Sequence, residues 1–211
     1  MSDLPQFVEF HEEGPREGFQ SEPCSYPLEQ RAALVEALAA TGLAHVQVAS
    51  FVSPRAVPTM ADAPELFAAI DRREGVKYTA LWLSERGFER AAATPGVDLD
   101  GKMFLYTTDA FCQSNNRCSI LELREKQRGW LEAYERHGVS LDLVYVLTAF
   151  GCHFQGEVSE QAVLDSVRYL VDLCAETGRP LPVICLADTV GWANPEGLRR
   201  RIGAVRELAP E

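Results

Sequence analysis

Fifteen residues near the start of the chain, EFHEEGPREGFQSEP from Glu9 to Pro23, gather carboxylates, a histidine, an arginine and two glycines. Such a set can move protons, hold a divalent cation and stabilise a developing negative charge. Taken alone, Glu12, Glu13 and Glu17 read most simply as a solvated acidic turn. Further polar clusters recur along the chain: QVASFVSPRAVPTMAD from Gln47, TTDAFCQSNNRCS from Thr107, TAFGCHFQGEVS from Thr148 and ADTVGWANPEG from Ala187. Cys152 invites a nucleophile reading, but no His/Asp orienting pair accompanies it, so a small packed side chain is the expectation. His11 is weighed as a metal ligand and set below a structural role. His45 and His137 read as structural, and His153 as a loop-surface or packing residue.

These residues need elements to position them. Short apolar runs alternate with longer amphipathic segments, a βαβα pattern. The runs predict strands over Phe7–Glu12, His45–Phe51, Lys77–Leu83, Lys102–Thr107, Leu141–Phe150 and Val183–Thr189. Helices are predicted over Tyr26–Thr41, Ala56–Arg73, Glu85–Thr94, Ser119–His137, Ser159–Thr177 and Pro195–Leu208. Gly42, Gly138 and Gly178 follow three of them as left-handed caps. Ser119 with Glu122 has the spacing of a capping box, and Asn194-Pro195 reads as a helix entry. Strand–helix alternation requires right-handed crossovers and a parallel sheet, either an open doubly wound sheet or a (β/α)8 barrel. No GxGxxG follows the first strand and no GxxxxGK[ST] occurs, which weakens the nucleotide-binding forms of the open sheet. In both architectures chemistry belongs at the carboxyl ends of the strands, where these polar clusters fall.

Composition removes whole classes of function. The 211 residues are 46% hydrophobic with a net charge of −11, a globular composition that repels nucleic acid and anionic membranes. No apolar stretch is long enough to span a bilayer and the N-terminus lacks a signal peptide's character, so a cytoplasmic protein without membrane or nucleic-acid partners is expected. Six cysteines without CxxC spacing are expected to be reduced and largely buried.

GPREGFQSEP, ASFVSPRAVPTMAD, NNRCS, AFGCHFQGEVS and ADTVGWANPEG occur in the order and spacing of the hydroxymethylglutaryl-CoA lyases, and the chain resembles that family from about Val8 to Leu208. The SFVSP stretch followed by VP and MAD is lyase-like rather than synthase-like. The resemblance implies an α/β fold of the (β/α)8 TIM-barrel type, with about six βα units in a single domain over residues 1–211. It also implies carbon–carbon cleavage of a 3-hydroxyacyl-CoA, assisted by Mg²⁺ or Mn²⁺, to acetyl-CoA and a 3-keto acid. By the same resemblance, Arg16 stabilises the enolate, Glu17 is a metal ligand, Gln20 lies near the metal, Ser50 contacts substrate and Asp188 is an acid facing it. Thr148 and Asn116 are further expected substrate contacts. Gln47 stands where the lyases carry a catalytic glutamate, Glu17 where they mostly carry aspartate, and His153-Phe154-Gln155 where they show Pro-Tyr-Glu.

The family continues past a sixth helix into a His-x-His metal pair and a Gly-rich loop with a reactive cysteine, and the sequence ends at Glu211 before them. The expectation is therefore a C-terminally incomplete barrel that binds metal weakly, takes an acyl-CoA-type substrate and forms homodimers. Two other readings stand beside it: a condensing synthase or aldolase of the same fold, and a remnant without turnover that binds a partner.

Overall fold

The computed structural model describes residues 6–210, which form two compact units divided between Leu99 and Asp100. In the first unit the order is β1 (His11–Glu12), α1 (Gly14–Ser21), α2 (Leu28–Ala39), β2 (His45–Ser50), a 3-10 turn (Pro58–Met60), α3 (Ala63–Ala69), β3 (Lys77–Leu81) and α4 (Glu85–Ala92). The three strands pair in parallel in the order β1-β2-β3. All six residues of β2 are buried, as a central parallel strand covered on both faces requires. Its register places His45 beside His11 and Gln47 beside Thr79, with an irregularity between Gln47 and Ala49. Helix α2 presents Ala32, Val35 and Ala39 to the core together with Arg31, whose guanidinium donates to the Thr59 carbonyl at 3.2 Å and pairs with Asp62. That tie holds the loop after β2 against α2.

The second unit runs β4 (Gly101–Tyr106), α5 (Asp109–Asn116), α6 (Ile120–Arg136), β5 (Leu141–Leu147), α7 (Glu160–Thr177), β6 (Val183–Leu186) and α8 (Pro195–Leu208), with parallel strand order β4-β5-β6. Gly101 is required where β4 meets β5, because a Cβ there would overlap the Ser140 carbonyl. The capping box at Ser119 is formed, Asn194 caps α8 with proline behind it, and Gly178 ends α7 at φ +63°. All six cysteines are free thiols and four of them, Cys112, Cys118, Cys152 and Cys174, are buried. No helix among the described residues is long and apolar enough to cross a membrane.

Several boundaries differ from the sequence reading. The strand expected over Phe7–Glu12 is only two residues long, since Phe7, Val8 and Phe10 are exposed with no apolar layer to cover them. The turn expected after it is instead the helix α1, with Pro15 in its first turn. The fifth strand stops at Leu147 because Thr148 turns into the left-handed region at φ 56°. The helix expected over Ala56–Arg73 is broken into a 3-10 turn and α3, each opened by a proline. The polar stretch from Thr107 hides the helix α5, which ends on left-handed Arg117.

Candidate active site

Arg16 lies on α1 just past the carboxyl end of β1 and is only 9% exposed. A buried guanidinium must find acceptors for its N–H groups. Nε donates to Gln47 Oε1 at 2.6 Å, Nη2 to Glu13 Oε2 at 2.6 Å, and Nη1 to Glu17 Oε2. Gln47 also donates through Nε2 to Glu13 Oε1 at 3.4 Å. The guanidinium plane is thus fixed from three sides, by a neutral amide below and two carboxylates at its rim. Next to this network, Ser50 Oγ donates to Gln20 Oε1 at 2.9 Å. Five of the expected site residues, Arg16, Glu17, Gln20, Gln47 and Ser50, therefore meet around α1 and the end of β2.

Glu17, the expected metal ligand, has a side chain 63% exposed and already paired with Arg16. Among the described residues, the group of three His, Cys, Asp or Glu side chains close enough to share one ion is Glu9, His11 and His45, and Glu17 is not in it. One carboxylate bound to a guanidinium does not supply the several oxygen ligands that Mg²⁺ or Mn²⁺ requires. A groove of about 600 Å³ opens by the loops after β2 and β3, lined by Phe51, Ser53, Arg55, Ser84, Arg86 and Arg90. Its three arginines give a concave cationic surface of the kind that phosphate groups favour. Arg90 is anchored there, donating to the Val52 carbonyl at 3.2 Å over the Phe51 ring.

In the second unit the strand ends carry a threonine network. Thr107 Oγ1 lies 2.8 Å from Thr148 Oγ1 and donates to the Thr148 carbonyl at 3.0 Å, while the Thr148 N–H donates to Thr189 Oγ1 at 2.8 Å. These bonds hold a buried β-branched residue in a left-handed conformation that costs about 1–3 kcal/mol, a form of strain common at functional sites. Asp188 is exposed at the end of β6 and accepts the backbone N–H groups of Trp192 at 2.9 Å and Ala193 at 3.0 Å. Its carboxylate therefore shapes the loop entering α8. Asn116 ends α5 and donates to the Tyr106 hydroxyl at 2.6 Å. Burial pushes that phenol up to about 12, against the opposing hydrogen bonds from Asn116 and Asn115. Cys152 is buried, with Thr108 rather than histidine as its side-chain partner at 3.3 Å. Burial raises the thiol, but hydrogen bonds from Thr108 and from the backbone of Phe154 and Gln155 outweigh it and leave Cys152 below its ordinary value.

The HMGL-like family model matches residues 7–211. The chain belongs to this family. A Pseudomonas aeruginosa 3-hydroxy-3-isohexenylglutaryl-CoA/hydroxy-methylglutaryl-CoA lyase is 37% identical over 208 residues, covering 98% of this chain and 66% of the relative. The human cytoplasmic 3-hydroxy-3-methylglutaryl-CoA lyase is 31% identical, covering 100% of this chain and 54% of its own. Among solved structures, the hydroxymethylglutaryl-CoA lyase of Pseudomonas aeruginosa superposes with a TM-score of 0.84 at 36% identity, over 99% of this chain and 67% of that one. The HMG-CoA lyase of Acinetobacter baumannii, solved with coenzyme A and 3-methylmalate, gives 0.83 at 28% identity, over 100% and 66%. This HMGL-like chain thus spans from about half to two thirds of the length of the curated relatives it matches. Its fold is of the (β/α)8 TIM-barrel type, represented among the described residues by six βα units.

Sequence reasoning missed residues in each of the two units of this HMGL-like chain. Glu13, read as solvated, bonds both Arg16 and Gln47. Its i,i+3 spacing to Arg16 would have revealed the pair had the segment been read as helix. Thr107 and Thr189 fall in the polar strand-end stretches, but their contacts carried no local signal, because only the parallel pairing of β4, β5 and β6 brings threonines 41 residues apart together.

Proposed function

We propose that this chain carries the enolate-stabilising half of a carbon–carbon lyase acting on a thioester of the 3-hydroxy-3-methylglutaryl-CoA class. The supporting observation is Arg16, a desolvated guanidinium whose orientation is fixed by Gln47, Glu13 and Glu17. Cleavage transfers the electron pair of the bond between the carbinol carbon and the thioester's α-carbon into the thioester as an enolate. The carbinol loses its proton and becomes a ketone, and protonation of the α-carbon gives acetyl-CoA. A cation prepositioned beside the thioester oxygen stabilises that developing charge without reorganising, an effect worth about 10²–10³ in rate per donor. Gln47 and Glu13 act here as positioning residues for Arg16. Ser50 and Gln20 are proposed to contact the acyl group, and Arg55, Arg86 and Arg90 the phosphates of coenzyme A.

For the second unit, Asp188 is proposed as proton acceptor, with Thr148 and Asn116 as substrate contacts. A divalent cation, Mg²⁺ or Mn²⁺, would supply Lewis acidity when bound; Glu17 offers one oxygen toward it. The cytoplasm is the proposed compartment, and a homodimer the proposed assembly, supported by the exposed Phe7 and Phe10.

The test is cleavage of 3-hydroxy-3-methylglutaryl-CoA with added Mg²⁺ or Mn²⁺, followed by acetyl-CoA release. Arg16→Met is expected to lower kcat/KM by about 10²–10³ while the thioester still binds. Absence of both binding and cleavage in the parent protein overturns the reading. Binding without cleavage favours the remnant reading.

A further inference from the structure

We propose that Glu9, His11 and His45 form a second cation site, distinct from Glu17, that takes a divalent transition-metal ion of the zinc class. The ligand atoms of these three side chains lie within 4.8 Å of one another. Their convergence has a simple origin. Glu9 and His11 are two residues apart with their side chains in contact, and the parallel register of β1 and β2 sets His11 beside His45. His45 is two residues before Gln47 on the same strand, so the cluster sits one side-chain layer below the Arg16 network.

The hydrogen bonds already have the form a metal-binding imidazole needs. His45 is 4% exposed, and its Nε2 lies 2.5 Å from Thr79 Oγ1, a fully buried hydroxyl. With the Nε2 proton given to Thr79, His45 Nδ1 carries a lone pair directed at His11, and its ring cannot turn away. The two Nδ1 atoms approach to 2.7 Å, while Glu9 Oε1 meets the far ring nitrogen of His11, Nε2, at 3.0 Å, so the exposed Glu9 side chain must swing around the ring to ligate an ion held between the two Nδ1 atoms. A tetrahedral zinc with Zn–N near 2.0–2.1 Å separates two nitrogens by about 3.3 Å, so the rings must part by roughly 0.6 Å. His11 can supply that movement, because its side chain is 42% exposed and its strand has only two residues.

Donor chemistry selects the ion. Two imidazoles and one carboxylate suit zinc, cobalt or nickel, whereas Mg²⁺ and Mn²⁺ prefer oxygen. With Glu9 and His11 exposed, the fourth position opens to water. Bound there, the ion would pin the segment before β1 to the buried strand β2.

The test uses the whole protein, stripped with chelator and dialysed against Zn²⁺, with Co²⁺ absorption as the probe of geometry. Uptake of one equivalent of Zn²⁺, four-coordinate Co²⁺ bands and a raised unfolding temperature on zinc addition are expected. His11→Ala, at an exposed position, should keep the circular dichroism of the parent, lose at least about 100-fold in zinc affinity and abolish the thermal shift. Glu17→Gln should leave zinc uptake unchanged. No stoichiometric uptake overturns the proposal and leaves a shared proton between the two rings. Uptake that survives His11→Ala, or that disappears with Cys24→Ser or Glu17→Gln, overturns it as well.

Discussion

Arg201 offers the sharpest test of how the second unit holds its strand-end loop. Its guanidinium is buried, lies 5.1 Å from the centre of the Phe150 ring, and donates through Nη1 to the Ala149 carbonyl and through Nη2 to the Val158 carbonyl at 2.5 Å. Those carbonyls bracket the loop after β5, which the bridge between Cys152 and Gly156 and the Thr108–Cys152 contact also hold. Replacing Arg201 by Met leaves both buried carbonyls without a donor. Hydrogen bonds to a charged group contribute about 1.5–3 kcal/mol each, which sets an upper range of roughly 3–6 kcal/mol for the pair. Met restores apolar packing and removes the guanidinium's own desolvation penalty, so a net loss of about 2–4 kcal/mol is expected. Hydrogen exchange followed on peptides covering residues 149–158 reads this directly. At 1.4 kcal/mol per tenfold, opening should become about 100-fold more frequent. Arg201→Lys, whose ammonium reaches one carbonyl, should give about 10-fold on the same scale. Changes below about threefold in both variants would refute the reasoning, as would equal acceleration throughout α6, which lacks these contacts.

Three further outcomes follow from local structure. Arg117 closes α5 in a left-handed conformation at φ 54° on an exposed position, so Arg117→Gly should raise stability by about 1 kcal/mol in urea unfolding. Ser119→Ala removes the capping box and should cost about 1 kcal/mol near neutral pH. Hydrogen bonds from the Ser119 backbone and then its hydroxyl hold Glu122 below its usual value, so the part of the cap made by the Ser119 hydroxyl to the Glu122 carboxylate is present above the unfolded carboxylate pKa of about 4.3. It is lost as pH falls through the folded pKa, and the gap between parent and variant should narrow on acidification. Burial, and then neighbouring Cys118, pushes the Cys112 thiol up to about 12, so iodoacetamide at pH 8 should label exposed Cys24 and spare Cys112 in the folded protein, by peptide mass mapping.

Local signals in this chain were legible where a single segment settles its own fate. Helices α6, α7 and α8 announce themselves through Ser119 with Glu122, Gly178 and Asn194-Pro195, because caps satisfy orphaned backbone groups within one turn. Motif order along the chain identified the family, and polar residues marked the carboxyl ends of strands. Boundaries were less legible. Nothing local shows that Phe7, Val8 and Phe10 lack a layer to pack on, or that Thr148 would leave the extended region at the end of β5.

Composition and order determined an acidic, parallel α/β chain with Arg16 and Glu17 at its first strand. Only the tertiary structure decided which partners those residues take. Strand register set His11 against His45, helix α1 turned Glu13 toward Arg16 and Gln47, and the Thr107–Thr148–Thr189 network arose from strands distant in sequence. The reason is physical: hydrogen bonds within a turn are fixed by spacing along the chain. Those between strands depend on a register set by the whole hydrophobic core.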